Sequence, residues 1–367
     1  MPAIRPGLRL RPSRKGASAF GAPPANDRLA ALAPIRDNPG GLTARVHVPA
    51  GLRGPAPLVV VLHGCTQNAA VYDQGSGWSQ LADRHGFILL FPEQSRANNP
   101  MLCFNWFSAG DSRRGKGEAA SIANMIATMK EAHQIDPARI FVTGLSAGGA
   151  MAAVMLATYP ELFAAGAIIA GLAYGSASNA AEALDLMGRR PRGDSATLGR
   201  SVRSASPHKG PWPRLQVWQG SADTTVAPGN ADAIVLQWMD LHGVAPRPDR
   251  EDEVAGHPRR TWLGKDGRPL IEQYTIAGMA HGIPLDPGTG EGESGQAGAH
   301  MLDVGLSSTD RIAAFFGIGP EVAEKSETAE PRAANDRRPA RTAAGPVPAE
   351  GVQAVIEKAL KAAGLMR

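Results

Sequence analysis

The chain has only two cysteines among its 367 residues, and its nine histidines are scattered. A structural zinc site needs several such ligands closely spaced, so no metal is expected. No apolar stretch approaches the roughly 20 residues of a bilayer-spanning helix, which excludes a transmembrane segment of that kind. Net charge is +4, and many arginines lie near the ends, in residues 5–14 and 332–341. They read as solvated tails, not as a nucleic-acid surface. Residues 1–20 are broken by Pro2, Pro6, Pro12 and five basic residues, so the apolar middle of a signal peptide is missing. Also missing are the lysine of a phosphate loop and the G-x-G-x-x-G spacing of a dinucleotide turn. No cofactor is expected, and no segment repeats another.

With 43% hydrophobic residues, the chain can bury a sizeable core. Residues 1–40, rich in Pro, Gly, Ala and Arg, are expected to form a mobile N-terminal arm. Strand patterns follow at 42–48, 58–62, 87–91, 163–169 and 215–219, and helical patterns at 78–85, 118–133, 230–241 and 309–316. Residues 58–62 form a continuous apolar run, the mark of a strand buried on both faces. A hairpin is expected over 258–276. Strands alternating with helices predict an α/β fold, a mostly parallel central sheet with helices on both faces. The catalytic domain is expected to span 41–318, with a small cap insertion at 172–210 whose helical patch covers 180–187. A flexible linker over 319–350 and an amphipathic helix over 351–367 complete the expected organisation.

One stretch organises the rest: Ile140-Phe141-Val142, a run of β-formers, leads into Gly144-Leu145-Ser146-Ala147-Gly148 and then into small helix-compatible residues. The two glycines flank Ser146 at the spacing G-x-S-x-G, where a strand turns sharply into a helix and presents a serine hydroxyl. In a parallel sheet the loops after the strands share one edge. Asp223 follows the strand at 215–219 and His281 follows the hairpin, so both can reach Ser146. Their order, Ser then Asp then His, is the α/β-hydrolase order. The chemistry fixes the roles: His281 takes the serine proton, and Asp223 holds the imidazole tautomer and stabilises its cation. In that fold the oxyanion donors would be the backbone N–H groups of Ala147 and Cys65. His63 belongs to an earlier strand end, and His300 reads as a partly buried loop or helix residue. Asp232 and Asp240 read as a solvated helix face.

Six separated stretches carry a resemblance to a known family. They are Leu62-His63-Gly64-Cys65-Thr66-Gln67, Phe91-Pro92-Glu93-Gln94, Cys103-Phe104-Asn105-Trp106-Phe107, Gly144-Leu145-Ser146-Ala147-Gly148-Gly149, Ala170-Gly171 with Tyr174-Gly175, and Trp218-Gln219-Gly220-Ser221-Ala222-Asp223. From about residue 38 to 316 the chain resembles the short-chain poly(3-hydroxyalkanoate) depolymerase esterases, relatives of feruloyl and acetylxylan esterases. The resemblance implies a serine carboxylic-ester hydrolase working through an acyl-enzyme, with Ser146, Asp223 and His281 as its triad. The implied substrate is a short-chain poly- or oligo(3-hydroxyalkanoate). A feruloyl or acetylxylan esterase, or a non-catalytic binding module of the same fold, are the alternatives. The resemblance implies an extracellular protein, while the missing signal peptide favours the cytoplasm.

Two expectations concern the cleft. Trp106, in a loop, and Trp218, just before Asp223, are expected to wall it, with core packing as the competing reading. Cys65 and Cys103 follow strands that neighbour each other in the hydrolase order, so a disulfide between them is possible. Two reduced thiols in a cytoplasmic enzyme are the other possibility.

Overall fold

The computed structural model describes residues 27–189, 193–288 and 294–320. Its elements run β1 (Ala30–Ala31), β2 (Thr43–His47), β3 (Ala56–Leu62), α1 (Ala69–Ser76), α2 (Trp78–His85), β4 (Ile88–Glu93), α3 (Gly117–Ala132), β5 (Ile135–Leu145) and α4 (Ala147–Thr158). Then come β6 (Ala165–Ile169), α5 (Ala180–Met187), α6 (Ser195–Arg203), β7 (Arg214–Gly220) and α7 (Gly229–His242). The chain continues through β8 (Arg250–Val254), β9 (His257–Leu263), β10 (Pro269–Ile276), β11 (Ile283–Leu285), β12 (Met301–Asp303) and α8 (Ser308–Phe316).

Ten strands form one sheet in the order β1-β2-β4-β3-β5-β6-β7-β10-β9-β8. The six central strands, β4 through β10 in that order, pair in parallel. Antiparallel β2 and β1 flank one edge, and antiparallel β9 and β8 the other. The parallel centre follows from composition. β3 is buried along its whole length, with Leu58, Val60 and Leu62 in the apolar layer of α3, α4 and α7, and Val59 and Val61 in the layer of α1, α2 and α8. A strand sandwiched in this way needs apolar residues on both sides, which is why it reads as an unbroken run.

Several expectations are corrected. The N-terminal arm ends earlier than residue 40. β1 pairs with β2, Leu29 is buried, Asp27 forms an ion pair with Arg45, and the Gly40 N–H donates to the Ser121 hydroxyl. β1 is two residues long and exposed, so no apolar pattern announced it. The insertion after β6 contains a second helix, α6, capped by the Asp194 side chain. The expected linker from residue 321 onward and the helix at 351–367 lie outside the described residues. Among the described residues, no helix is long and apolar enough to cross a membrane.

Candidate active site

β5 ends at Leu145 and α4 begins at Ala147, leaving Ser146 alone in the turn with φ 57 and ψ −119. A non-glycine residue rarely adopts this left-handed geometry, and a site that holds it must be over-determined by its surroundings. Here the Ser146 N–H donates to the Ile169 carbonyl, and its own carbonyl accepts from Ala150. The flanking glycines are sterically required. A Cβ on Gly144 would lie 2.4 Å from the Gly148 carbonyl oxygen, and one on Gly148 would lie 2.3 Å from that of Leu62. The elbow therefore packs backbone on backbone, and the serine side chain faces a cavity that it shares with Ala147, Cys65 and Trp106.

Asp223 lies in the loop after β7 and is buried. Its Oδ1 accepts the N–H groups of Thr225 and Val226, both at 2.8 Å. Its Oδ2 accepts from Gln219 Nε2 at 2.9 Å and from His281 Nδ1 at 2.7 Å. A carboxylate offers only acceptors, so His281 carries its proton on Nδ1 and leaves Nε2 as an acceptor. The loops after β7 and β10 are laced together: Ser221 and Ala222 donate their N–H groups to Ile276 and Met279, and the Ser221 hydroxyl accepts from Gly278. On its other side, the His281 carbonyl accepts from His300 Nδ1 at 3.1 Å, and the two imidazoles meet edge-on at 5.8 Å. β11 and β12 pair in parallel just beyond and seat both histidines.

The loop after β3 is as firmly held. His63 is fully buried, and burial pushes its pKa down to about 4, so the ring is neutral near pH 7. Its Nε2 accepts from the Gln94 N–H at 3.1 Å, which leaves Nδ1 to donate to the Gly64 carbonyl at 2.8 Å. The Gly64 N–H donates to Gln67 Oε1, the Thr66 N–H to the Met101 carbonyl, and Cys65 is joined to Cys103 by a disulfide. These contacts fix the Cys65 backbone at the cavity. Across it stands Ala147, the first residue of α4, where helix N–H groups have no intrahelical acceptor. A helix N-terminus also favours negative charge, so the two positions suit an oxyanion.

The segment carrying Cys103 and Trp106 hangs on Glu118, a buried carboxylate near the start of α3. Its Oε1 accepts from the side chains of Gln94 (2.5 Å) and Asn105 (2.7 Å), and its Oε2 from the Asn105 N–H (2.8 Å). Burial pushes its pKa up to about 7 against these three donors. Sequence reasoning named His63 and Gln94 inside the resembling stretches without giving them this work, and it passed over Glu118 and His300 as site residues. Of these four, only His63 and Glu118 adjoin a glycine, Gly64 and Gly117, and Gln94 and His300 carry no such local mark. Asp232 and Asp240 lie on α7, paired with Arg260 and Arg203.

Of the two tryptophans, Trp106 lines the cavity, packed edge-on against Phe107. Trp218 does not, and its expected place in the cleft is corrected. It is fully buried, stacks flat on Tyr274 at 3.9 Å, and donates Nε1–H to Gln216. Successive residues of a strand face opposite sides of the sheet. On β7 that parity turns Gln219 toward Asp223 and sends Trp218 into the layer of α1, α2 and α8.

Residues 43–254, which include Ser146 and Asp223 and end before His281, match the family model described as Esterase PHB depolymerase. Poly(3-hydroxyalkanoate) depolymerase C of Paucimonas lemoignei is 48% identical over 282 residues, 77% of this chain and 68% of that protein. Acetylxylan esterase A of Aspergillus oryzae is 32% identical over 259 residues, 68% of this chain and 82% of that one. Among solved structures, an acetyl xylan esterase from Aspergillus awamori superposes with a TM-score of 0.66 at 24% identity, covering 79% of this chain and 99% of that one. This last likeness speaks for the α/β-hydrolase fold.

Proposed function

The chain belongs to the esterase PHB depolymerase family, and from that footing we propose how this serine ester hydrolase works and on what. Ser146 Oγ attacks the ester carbonyl as His281 Nε2 takes its proton, and Asp223 steadies the resulting imidazolium. The N–H groups of Cys65 and Ala147 receive the oxyanion. Collapse expels the alcohol, protonated by His281, and leaves an acyl group on Ser146. Water, activated by the same histidine, then releases the acid. The observation carrying this reading is the Asp223–His281 pair at 2.7 Å, with the carboxylate held by three further donors at the sheet edge where Ser146 turns.

The substrate we propose is a short-chain 3-hydroxyalkanoate oligomer or polymer. The 48% identity to poly(3-hydroxyalkanoate) depolymerase C supports it. Acetylated xylan is the second reading, favoured by the small apolar cavity at Ser146, which suits an acetyl group. Incubation with 3-hydroxybutyrate trimer and with acetylated xylo-oligosaccharides, followed by mass spectrometry, separates the two. Release of monomer and dimer acids at the faster kcat/KM supports the first, and preferential release of acetate overturns it. We also place the protein outside the cytoplasm, because its only two cysteines are paired and such a bridge persists in oxidising compartments. Two freely alkylated thiols in unreduced protein from its native source would contradict that location.

A further inference from the structure

The loop from β10 to β11 carries His281, and it is held from several directions. The Ala277 N–H donates to His257 Nδ1 at 3.2 Å, the Gly278 N–H to the Ser221 hydroxyl at 2.8 Å, and the Met279 carbonyl accepts from Ala222. At His281 the backbone carbonyl accepts from His300 Nδ1 at 3.1 Å, while the His300 carbonyl accepts from the Ile283 N–H at 2.8 Å. His300 thus grips the main chain on both sides of Gly282. Only a glycine permits that grip, because a Cβ on Gly282 would lie 2.7 Å from the His300 carbonyl oxygen.

Turn geometry brings His300 there. Gly298 and Met301 exchange backbone hydrogen bonds at 2.9 and 3.1 Å, so residues 298–301 form a tight turn with His300 third. Its φ is 60. A turn that needs positive φ at the third position takes Gly or Asn, and a bulkier residue persists there only where its surroundings over-determine it. The base of the turn is firm: Met301 is buried, opens β12 beside β11, and lies against Gly75 of α1. A carbonyl can only accept, so His300 carries a proton on Nδ1 whether its ring is neutral or charged.

We propose that His300 is a positioning residue for the reaction, holding the His281 main chain so that the imidazole stays aimed at Ser146. The inference rests on the reading of His281 as the general base. Asp223 fixes the rotation of the ring through Nδ1, and His300 fixes the backbone from which the ring hangs. His281 takes and returns a proton in both halves of the reaction, and a displacement of about 1 Å in such a group costs on the order of 100-fold.

The test compares wild type, His300→Gly and His300→Asn. Glycine keeps the positive φ and loses the donor. Asparagine also accepts that φ, and its Nδ2 stands as many bonds from the backbone as the imidazole Nδ1. Steady-state turnover of p-nitrophenyl acetate, the rate of fluorophosphonate labelling, and the NMR signal of the His281 Nδ1–H in histidine-labelled protein are measured on each. His300→Gly should lower kcat and the labelling rate by about 10- to 100-fold, with KM within about two-fold and the Nδ1–H signal broadened by exchange. His300→Asn should restore both rates to within about three-fold of wild type and keep the signal. If His300→Gly does not fold, His300→Ala measured against His300→Asn decides. A folded donor-less variant with kcat within about two-fold of wild type, one that raises KM instead, or an asparagine variant no more active than the glycine one overturns the proposal. A wild type that resists labelling, or a folded His281→Ala variant that keeps its turnover, overturns the general-base reading itself.

Discussion

Replacing both Cys65 and Cys103 by alanine removes a link that closes a separation of 38 residues. Loop-closure entropy for that length is about 13 cal/mol/K, or about 4 kcal/mol at 25 °C. In a domain of this size each kcal/mol moves Tm by about 2–4 °C, so the variant should melt roughly 10 °C lower. Activity should suffer less than stability. The loop after β3 keeps the Gly64–Gln67 bond, the Thr66–Met101 bond and the His63 anchor on Gln94. The Cys65 N–H therefore stays near its place, and kcat should fall by less than the 10²–10³ typical of deleting an oxyanion donor. Urea unfolding measures the first quantity, and p-nitrophenyl acetate turnover well below the new midpoint measures the second. A variant within about 1 kcal/mol of wild type would refute the entropic argument, and a stable variant that lost all turnover would refute the claim that the remaining bonds hold the loop.

Asp223→Asn should reduce kcat by about 10⁴ with little change in KM, because an amide permits the wrong His281 tautomer; steady-state kinetics with intact circular dichroism checks it. Trp106→Ala should raise KM for 3-hydroxybutyrate trimer more than for p-nitrophenyl acetate, whereas Trp218→Ala should cost about 3–5 kcal/mol of stability by emptying a core site. Equal KM shifts in both would contradict their assignment to cavity and core. The Glu118 pKa stands near 7 when folded against 4.5 as its ordinary value, so the folded state binds the extra proton between those pH values. Stability should fall as pH rises from about 4.5 through 7, by about 3 kcal/mol from this residue. Glu118→Gln should flatten that part of the unfolding profile, and an unchanged slope would refute the assignment.

Much of this architecture was legible because burial leaves a periodic trace. β3 showed itself by five apolar residues in succession, and α2 by an amphipathic face ending at Gly86, which is its left-handed cap. The Ser146 elbow was legible because only glycine fits where backbones touch. What stayed hidden lacked such a trace. β8 is an edge strand whose first four residues, Arg250 to Glu253, are charged and exposed, and Asp252 pairs across it with Arg259. α1 is short and carries Gly75 within it, so its helical period is weak. Trp218 was misplaced because strand parity, and not nearness to Asp223 in sequence, decides which layer a side chain enters. His63, Glu118 and His300 act through hydrogen bonds to residues 20 or more positions away, or across separate loops, and such partners are visible only once the chain is folded.

The central claim is that the hydroxyl at the β5–α4 elbow carries the acyl group. It is tested most directly by Ser146→Ala, assayed on p-nitrophenyl acetate with the fold followed by circular dichroism. A folded variant whose kcat/KM drops by several orders of magnitude is the expected result, since only oxyanion and binding effects remain. A folded variant that keeps more than about a tenth of the wild-type kcat/KM would contradict the account.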